Sequence, residues 1–170
     1  MTELLATNNA PQEINDFHGH FYWLSNFSSA KVCLDGEVYP TVEHAFQAAK
    51  TDDPELRRQI RKAPTPGKAK KLGKTIPVAK FKSDWDKHRI FVMYYLLRQK
   101  FVGQQLQRLQ DLKGVNLVEG NTWGDKFWGV CDGEGYNVLG QLLMMIRDAR
   151  PTDYIDVMLN NMIVNNKQLQ

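Results

Sequence analysis

The sequence has few cysteines and no long apolar run. Its 170 residues include two cysteines, Cys33 and Cys131, too few for a disulfide framework and without the spacing of a metal site. No apolar stretch is long enough to cross a bilayer. Residues 1–16 show no basic start followed by an apolar run, so no signal peptide is predicted. We therefore expect a cytoplasmic protein with reduced thiols and no membrane partner.

Several common catalytic motifs are also missing. There is no HExxH, no CxxC pair and no GxSxG, which argues against metalloprotease, zinc and α/β-hydrolase chemistry. The segment Thr65–Lys71 lacks the GxxxxGK[ST] spacing of a P-loop. His18 and His20 have no third ligand at metal spacing. The sequence therefore predicts no metal and no cofactor.

Charge is unevenly distributed in an otherwise ordinary globular composition. The chain is 42% hydrophobic and 24% charged, and its net charge of +3 is too small to indicate a nucleic-acid binder by itself. Between Arg57 and Lys74, however, lie eight cations and no acid. Such a run is typical either of solvated helix faces or of a rim that binds phosphate.

The pattern of turns and apolar residues predicts an α+β fold that is predominantly helical. Asp35 and Gly36, between Lys31–Leu34 and Glu37–Tyr39, predict a small β-hairpin near the N-terminus. The aromatic segment His20–Leu24 reads as a short strand. Caps and apolar periodicity predict helices over most of the remaining chain. We expect a compact single domain over residues 17–150, a flexible arm over 1–16, and a C-terminal helix and polar tail over 151–170.

The first candidate site is the predicted helix that follows the hairpin. Thr41 can cap it, and Glu43, Gln47 and Lys50 share one face at i, i+4 and i+7. A carboxylate, an amide and an amine on one face could line a pocket. The same pattern also fits an amphipathic helix with a solvated charged face.

The second candidate site is the loop Glu119–Val130. It combines two acids, Glu119 and Asp125, with Trp123, Trp128 and three glycines. Tryptophan rings stack on planar bases, and carboxyl groups transfer protons. The alternative is that the tryptophans fill the core and the acids cap helices.

Motifs in a fixed order carry a resemblance to a known family. They are Phe21–Phe27, Leu34–Gly36, Tyr39–Lys50, Ala69–Gly73, Leu117–Glu119, Asp125–Gly129 and Gly135–Gly140, followed by Leu143, Met144 and Arg147. Together, over residues 17–149, they resemble the NADAR, or YbiA-like, family. The resemblance implies a compact helical catalytic domain and an N-glycosidase, a hydrolase that cleaves the bond between ribose C1 and an amino group on a pyrimidine or purine.

The resemblance also implies two classes of substrate. One branch of the family acts on ribosylamino-pyrimidine intermediates of riboflavin synthesis, and another removes ADP-ribose from guanine in nucleic acid. The partner would then be a small ribosyl or ADP-ribosyl substrate, or ADP-ribosylated guanine in nucleic acid. The competing interpretation is a non-catalytic module that binds NAD, ADP-ribose or modified nucleic acid. No oligomeric state is predicted.

The resemblance implies functional positions at Asn26, Glu43, Lys50, Glu119, Asp125 and Trp128, and the chemistry of neighbouring side chains adds further candidates. The predicted catalytic residues are Glu43, Lys50 and Asp125. The predicted substrate-binding residues are Tyr22, Asn26, Gln47, Lys68, Lys71, Glu119, Trp128 and Asn137. Glu43 would stabilise positive charge, bind hydroxyls or activate water, Asp125 and Glu119 would protonate or orient the base, and Trp128 would stack on it. Lys68, Lys70 and Lys71 would meet phosphate, and Lys50 would either form a Schiff base or pair with an anion. Gly120 stands where other members often carry a polar residue.

Overall fold

The structure, a computed structural model, describes residues 12–149. Its strands are β1 (Glu13–Ile14), β2 (Val32–Leu34), β3 (Glu37–Tyr39), β4 (Asn116–Leu117), β5 (Gly120–Asn121) and β6 (Val130–Cys131). Its α-helices are α1 (Val42–Ala48), α2 (Pro54–Arg61), α3 (Pro66–Lys74), α4 (Trp85–Lys100), α5 (Gly103–Gln110) and α6 (Val138–Asp148), with 3-10 helices at Gly19–Leu24 and Val78–Lys80. The predicted helix-dominated α+β fold is confirmed. None of the helices in this range is long and apolar enough to cross a membrane.

The predicted hairpin is confirmed as the antiparallel pair β2–β3. Asp35 and Gly36 at its turn have φ values of 51° and 78°, the positive values that a two-residue hairpin turn needs. One edge of β2 is covered by Gln99 of α4, whose side chain accepts from the N–H of Cys33 at 2.7 Å and donates to its carbonyl at 2.9 Å. The hairpin is therefore fixed against α4.

The predicted strand at His20–Leu24 is wrong, because Gly19–Leu24 forms a 3-10 helix. Gly19 turns the chain with a φ of 50°, and none of the strands within residues 12–149 pairs with this segment. The backbone instead bonds locally, and the N–H of Ser25 donates to the carbonyl of Tyr22 at 3.1 Å. Aromatic residues favour strands, but here the backbone N–H and C=O groups need local hydrogen bonds, and these decide the structure.

The folded domain begins before the predicted boundary at residue 16. Strand β1 pairs in parallel with β4, so that Ile14 lies opposite Leu117. The side chains of Ile14 and Phe17 are buried in the core. Residues 12–16 are thus part of the domain, while residues 1–11 and the predicted helix and tail at 151–170 lie outside the described residues.

Helix α1 is the centre of the fold. It packs against α2, α3 and α4, and all seven of its residues, Val42–Ala48, are buried. Thr41 caps it as predicted, since its Oγ1 accepts from the N–H of His44 at 3.2 Å. A helix enclosed in this way has no solvated face, so the amphipathic interpretation does not hold for Glu43 and Gln47.

Helix α3 presents lysines on two opposite sides. Thr65 caps it by accepting from the N–H of Lys68, and Pro66 occupies the first turn. Lys70 lies one turn before Lys74 and both line the same cavity, whereas Lys68 lies in a separate shallow groove. The basic run is therefore divided between two faces of the protein.

Candidate active site

A cavity of about 680 Å³ lies between α1, α3, the turn 25–28 and the loop 119–128. Nine of the eleven predicted site residues line it: Tyr22, Asn26, Glu43, Gln47, Lys50, Lys71, Glu119, Asp125 and Trp128. The two stretches identified as candidate sites in the sequence therefore form facing walls of one cavity.

The structure places two predicted binding residues, Lys68 and Asn137, outside this cavity. Lys68 is exposed in the groove beside Lys62. The amide of Asn137 is occupied within the protein, because its Oδ1 accepts from the N–H of Glu119 at 3.0 Å and its Nδ2 donates to the carbonyl of Leu117 at 2.8 Å. Asn137 therefore positions Glu119 and does not reach the cavity.

The lining residues outside the predicted catalytic and substrate-binding set include Lys74, Phe27 and Trp123. Lys74 follows Lys70 by four residues, so helical spacing could have identified it. Phe27 and Trp123 lie on the turn and on the loop, and the amine of Lys70 is 5.7 and 5.5 Å from the centroids of their rings. Helical spacing cannot indicate such a contact between distant loops.

The carboxyl group of Glu43 is buried, with the residue only 5% exposed. Gln47 donates from Nε2 to Oε1 of Glu43 at 2.8 Å, and the N–H of Glu43 donates to the carbonyl of Asn26. Burial raises the pKa of Glu43, while the bond from Gln47 and the charges of Lys70 and Lys50 oppose that rise. Glu43 therefore keeps its proton to a higher pH than an exposed glutamate does.

Lys50 extends from the end of α1 into the same cavity. Its amine lies 5.8 Å from the ring centroid of Phe46 and is half-buried. Burial lowers the pKa of Lys50, the positive charges of Lys70 and Lys74 lower it further, and the charge of Glu43 opposes them. The neutral, nucleophilic amine is consequently more populated than in an exposed lysine.

Glu119 contributes a second partly buried carboxyl group. Burial raises its pKa to about 7, Asp125 and Glu43 add to that rise, and Lys70 opposes it. The backbone at Gly129 lies very close to Glu119, since a Cβ on Gly129 would be 2.1 Å from the Glu119 carbonyl oxygen. At neutral pH Glu119 can therefore either donate or accept a proton.

Asp125 and Trp128 serve the loop as well as the cavity. The Asp125 carboxylate accepts from the N–H groups of Phe127 and Trp128 at 3.2 and 2.9 Å, so Oδ1 is already occupied. Trp128 packs edge-on against Phe46 and Phe127, with centroids 5.3 and 5.0 Å apart. Asp125 and Trp128 therefore line the cavity and also stabilise the loop, whereas Trp123 is exposed and does not fill the core.

Lys100 stabilises the turn 25–28. This buried amine donates to the Ser25 carbonyl at 2.6 Å and to Ser28 Oγ at 2.7 Å, and burial lowers its pKa to about 7. Asn26, in the middle of the turn, is thereby fixed at the cavity wall, with its Nδ2 3.3 Å from Met93 Sδ.

Three buried oxygens of the cavity residues have no hydrogen-bond partner among residues 12–149: Asn26 Oδ1, Gln47 Oε1 and Glu119 Oε2. All three are acceptors when Glu119 is ionised. A buried acceptor without a donor costs about 1–3 kcal/mol. These three oxygens are therefore free to accept hydrogen bonds from a bound ligand.

The close approach of α3 to α1 predicts the effect of Gly73→Ala. The added Cβ would lie 1.9 Å from Gln47 Oε1, so the Gln47 amide must move and its bond to Glu43 is lost. We expect kcat/KM to fall roughly tenfold and the pKa that its pH profile assigns to Glu43 to rise. Gly67→Ala is the control, because its Cβ meets only Thr65 Oγ1, at 4.0 Å; an unchanged profile in Gly73→Ala would contradict the prediction.

Comparisons with known proteins identify the family of this domain. Residues 14–149 match the NADAR domain. The chain is 36% identical over 141 residues to the N-glycosidase YbiA of Escherichia coli K12, covering 79% of this chain and 82% of that protein. The solved NMR structure of E. coli YbiA aligns with a TM-score of 0.69 and 31% identity, over 80% of this chain and 82% of that one.

A riboflavin biosynthesis protein of Vibrio vulnificus is 32% identical over 138 residues. This match covers 80% of the present chain and 36% of the Vibrio protein, so the chain corresponds to about a third of that relative. From residue 14 to residue 149, the chain belongs to the NADAR family.

Proposed function

We propose that the protein is an N-glycosidase that hydrolyses the bond between ribose C1 and the amine nitrogen of a heteroaromatic base. The observation that carries this proposal is the enclosure of two carboxyl groups, Glu43 and Glu119, and one amine, Lys50, around a single cavity. Burying three ionisable groups is costly, and a module that only binds its ligand has little use for them. The names of the E. coli and Shigella relatives, N-glycosidase YbiA, give independent support.

Cleavage of this bond needs a proton on the leaving amine and stabilisation of the positive charge that develops at C1. Glu119, with a pKa of about 7, supplies the proton in the proposed mechanism. Ionised Glu43 stabilises the developing charge and orients the attacking water. The C1–N electron pair leaves with the amine, and the water adds its oxygen to C1 and releases one proton. Lys50 offers a covalent route to the same products.

The substrate class that we propose is a heteroaromatic amine joined to C1 of a phosphorylated ribose. Lys70, Lys71 and Lys74 give the cavity a positive edge that suits phosphate. A ribosylamino-pyrimidine of riboflavin synthesis and ADP-ribosyl-guanine in nucleic acid both meet this description. Relatives in Vibrio vulnificus and maize are named riboflavin biosynthesis proteins, which favours the first. We place the reaction in the cytoplasm, as the reduced thiols suggest.

A direct comparison of the two substrates tests the proposal. The purified protein is incubated with ADP-ribosylated guanine oligonucleotide and, separately, with the ribosylamino-pyrimidine phosphate, and the free base and sugar are quantified by mass spectrometry. We expect release of base from at least one substrate, at a rate proportional to enzyme concentration. Saturable binding of both substrates without release of base would instead identify a binding module.

A further inference from the structure

Lys70 places a positive charge at the wall of the cavity. It is half-buried, and its amine lies over the rings of Phe27 and Trp123. No acid within residues 12–149 forms an ion pair with it at contact distance. Its charge nevertheless acts on Glu43 and Glu119, and it is the charge with the largest effect on Glu119. An anion that binds Lys70 therefore changes the electrostatic environment of both carboxyl groups.

The unpartnered oxygen of Glu119 shows what such a change would favour. Asn26 Oδ1, Gln47 Oε1 and Glu119 Oε2 are buried and receive no donor. A proton on Glu119 Oε2 converts one of these acceptors into a donor. A buried carboxylate oxygen without a donor is costly, so the geometry of the cavity already disfavours a fully ionised Glu119.

We propose that binding of the substrate phosphate at Lys70 is coupled to the uptake of a proton from solvent by the Glu119 carboxyl group, which then protonates the leaving amine. This inference rests on the proposed function. When the C1–N bond breaks, its electron pair and the Glu119 proton go to the amine nitrogen. Water adds to C1, and its released proton returns to the carboxylate. Binding of the substrate thereby protonates the acid that cleaves its C1–N bond.

The direction of the coupling follows from the charges around Glu119. The charged and titratable groups on the surrounding elements are Asp16, His18, Glu43, Lys50, Lys70, Lys71, Lys74, Lys100 and Asp125. The positive charge of Lys70 holds the pKa of Glu119 down, whereas Asp16, Glu43 and Asp125 raise it. A phosphate neutralises Lys70 and adds a negative charge of its own, so both changes favour the protonated carboxyl group.

Calorimetric titration with ADP-ribose tests the coupling without any turnover. The pyrophosphate diester of ADP-ribose stays ionised near pH 7, so a proton that is taken up belongs to the protein. Titrations at pH 7 in two buffers with different ionisation enthalpies give the number of protons per bound ligand. We expect uptake of a fraction of a proton per bound ligand, since a carboxyl group with a pKa of about 7 is only partly protonated at pH 7 and a rise in that pKa makes it more fully protonated.

Four variants separate this coupling from a structural effect. We expect Lys70→Met to weaken ADP-ribose binding at least tenfold and Lys70→Arg to restore both binding and proton uptake. Glu119→Gln should bind ADP-ribose and take up no proton. Lys68→Met, on the outer face of the same helix, should match the wild type.

Three results would overturn the coupling: ADP-ribose fails to bind, the wild type binds it without proton uptake, or uptake persists in Glu119→Gln. This test of the coupling and the test of the proposed function can fail separately. Proton uptake with no turnover of either N-ribosyl substrate would refute the glycosidase and leave the coupling intact, whereas turnover without uptake would do the reverse.

Discussion

Replacing Glu43 by glutamine is expected to lower kcat by roughly 10³-fold or more and, at the same time, to stabilise the protein. Glutamine has the same shape and its oxygen can still accept from Gln47 Nε2, so the packing of α1 is preserved. What is lost is the negative charge beside the developing cation at C1. Steady-state kinetics on whichever N-ribosyl substrate the wild type cleaves measures the first effect, and urea unfolding measures the second.

The gain in stability should depend on pH in a defined direction. Burial raises the folded-state pKa of Glu43 above the unfolded value of 4.5, so the native protein binds more protons than the unfolded chain between these two values. The wild type consequently loses stability as pH rises from about 4.5 through the folded-state pKa. Glu43→Gln has no such loss, and we expect its advantage to be near zero at pH 4 and on the order of 1–3 kcal/mol at pH 8.

Glu55→Gln is the matched control for this experiment. Glu55 lies on the surface of α2, and hydrogen bonds from Arg58 and Gln59 lower its pKa to about 2. Its contribution to stability is present above pH 4.5 and is lost as pH falls towards 2, which is the opposite sign to Glu43. Its removal should leave kcat unchanged. Equal turnover in Glu43→Gln and the wild type would remove Glu43 from the catalytic machinery.

The sequence is sufficient to predict α1 as a helix, yet it leaves its environment open. The Thr41 cap and the apolar spacing are local features, and both predictions hold. Whether Glu43 and Gln47 face solvent depends on α2, α3 and α4, which cover α1 from separate parts of the chain. Periodicity describes one helix at a time, so it cannot distinguish a solvated polar face from a buried one.

The same limit explains the misplaced binding residues. The run around α3 predicts a basic surface, but only the docking angle of the helix decides that Lys70 faces the cavity and Lys68 does not. Asn137 adopts a left-handed backbone with φ 49°, and its amide bridges Glu119 and Leu117, twenty residues away. A long-range bond of this kind has no periodic signature. Short motifs therefore located the walls of the site more reliably than the orientation of individual side chains.

Lys50 is expected to form a covalent adduct with the sugar when the reaction is run in the presence of borohydride. In the ring-opened substrate, C1 is joined to the leaving amine as an imine. The neutral amine of Lys50 adds to C1, the base departs as its free amine, and a lysine imine remains that water hydrolyses. Burial and the nearby charges of Lys70 and Lys74 lower the pKa of Lys50, which supplies the neutral amine that this route needs. Peptide mass mapping should find the reduced sugar on Lys50.

Substitutions of Lys50 separate covalent catalysis from simple binding. Lys50→Arg keeps a positive charge that can pair with Glu43 or a phosphate, but it cannot form an imine. If Lys50 is the nucleophile, Lys50→Arg should lose roughly 10³-fold or more in kcat, and no borohydride adduct should form. Lys74→Arg, which keeps a cation at the cavity edge, should retain both turnover and the adduct. An active Lys50→Arg, or an adduct on another lysine, would assign Lys50 to charge pairing and leave Glu43 and Glu119 to carry out direct hydrolysis.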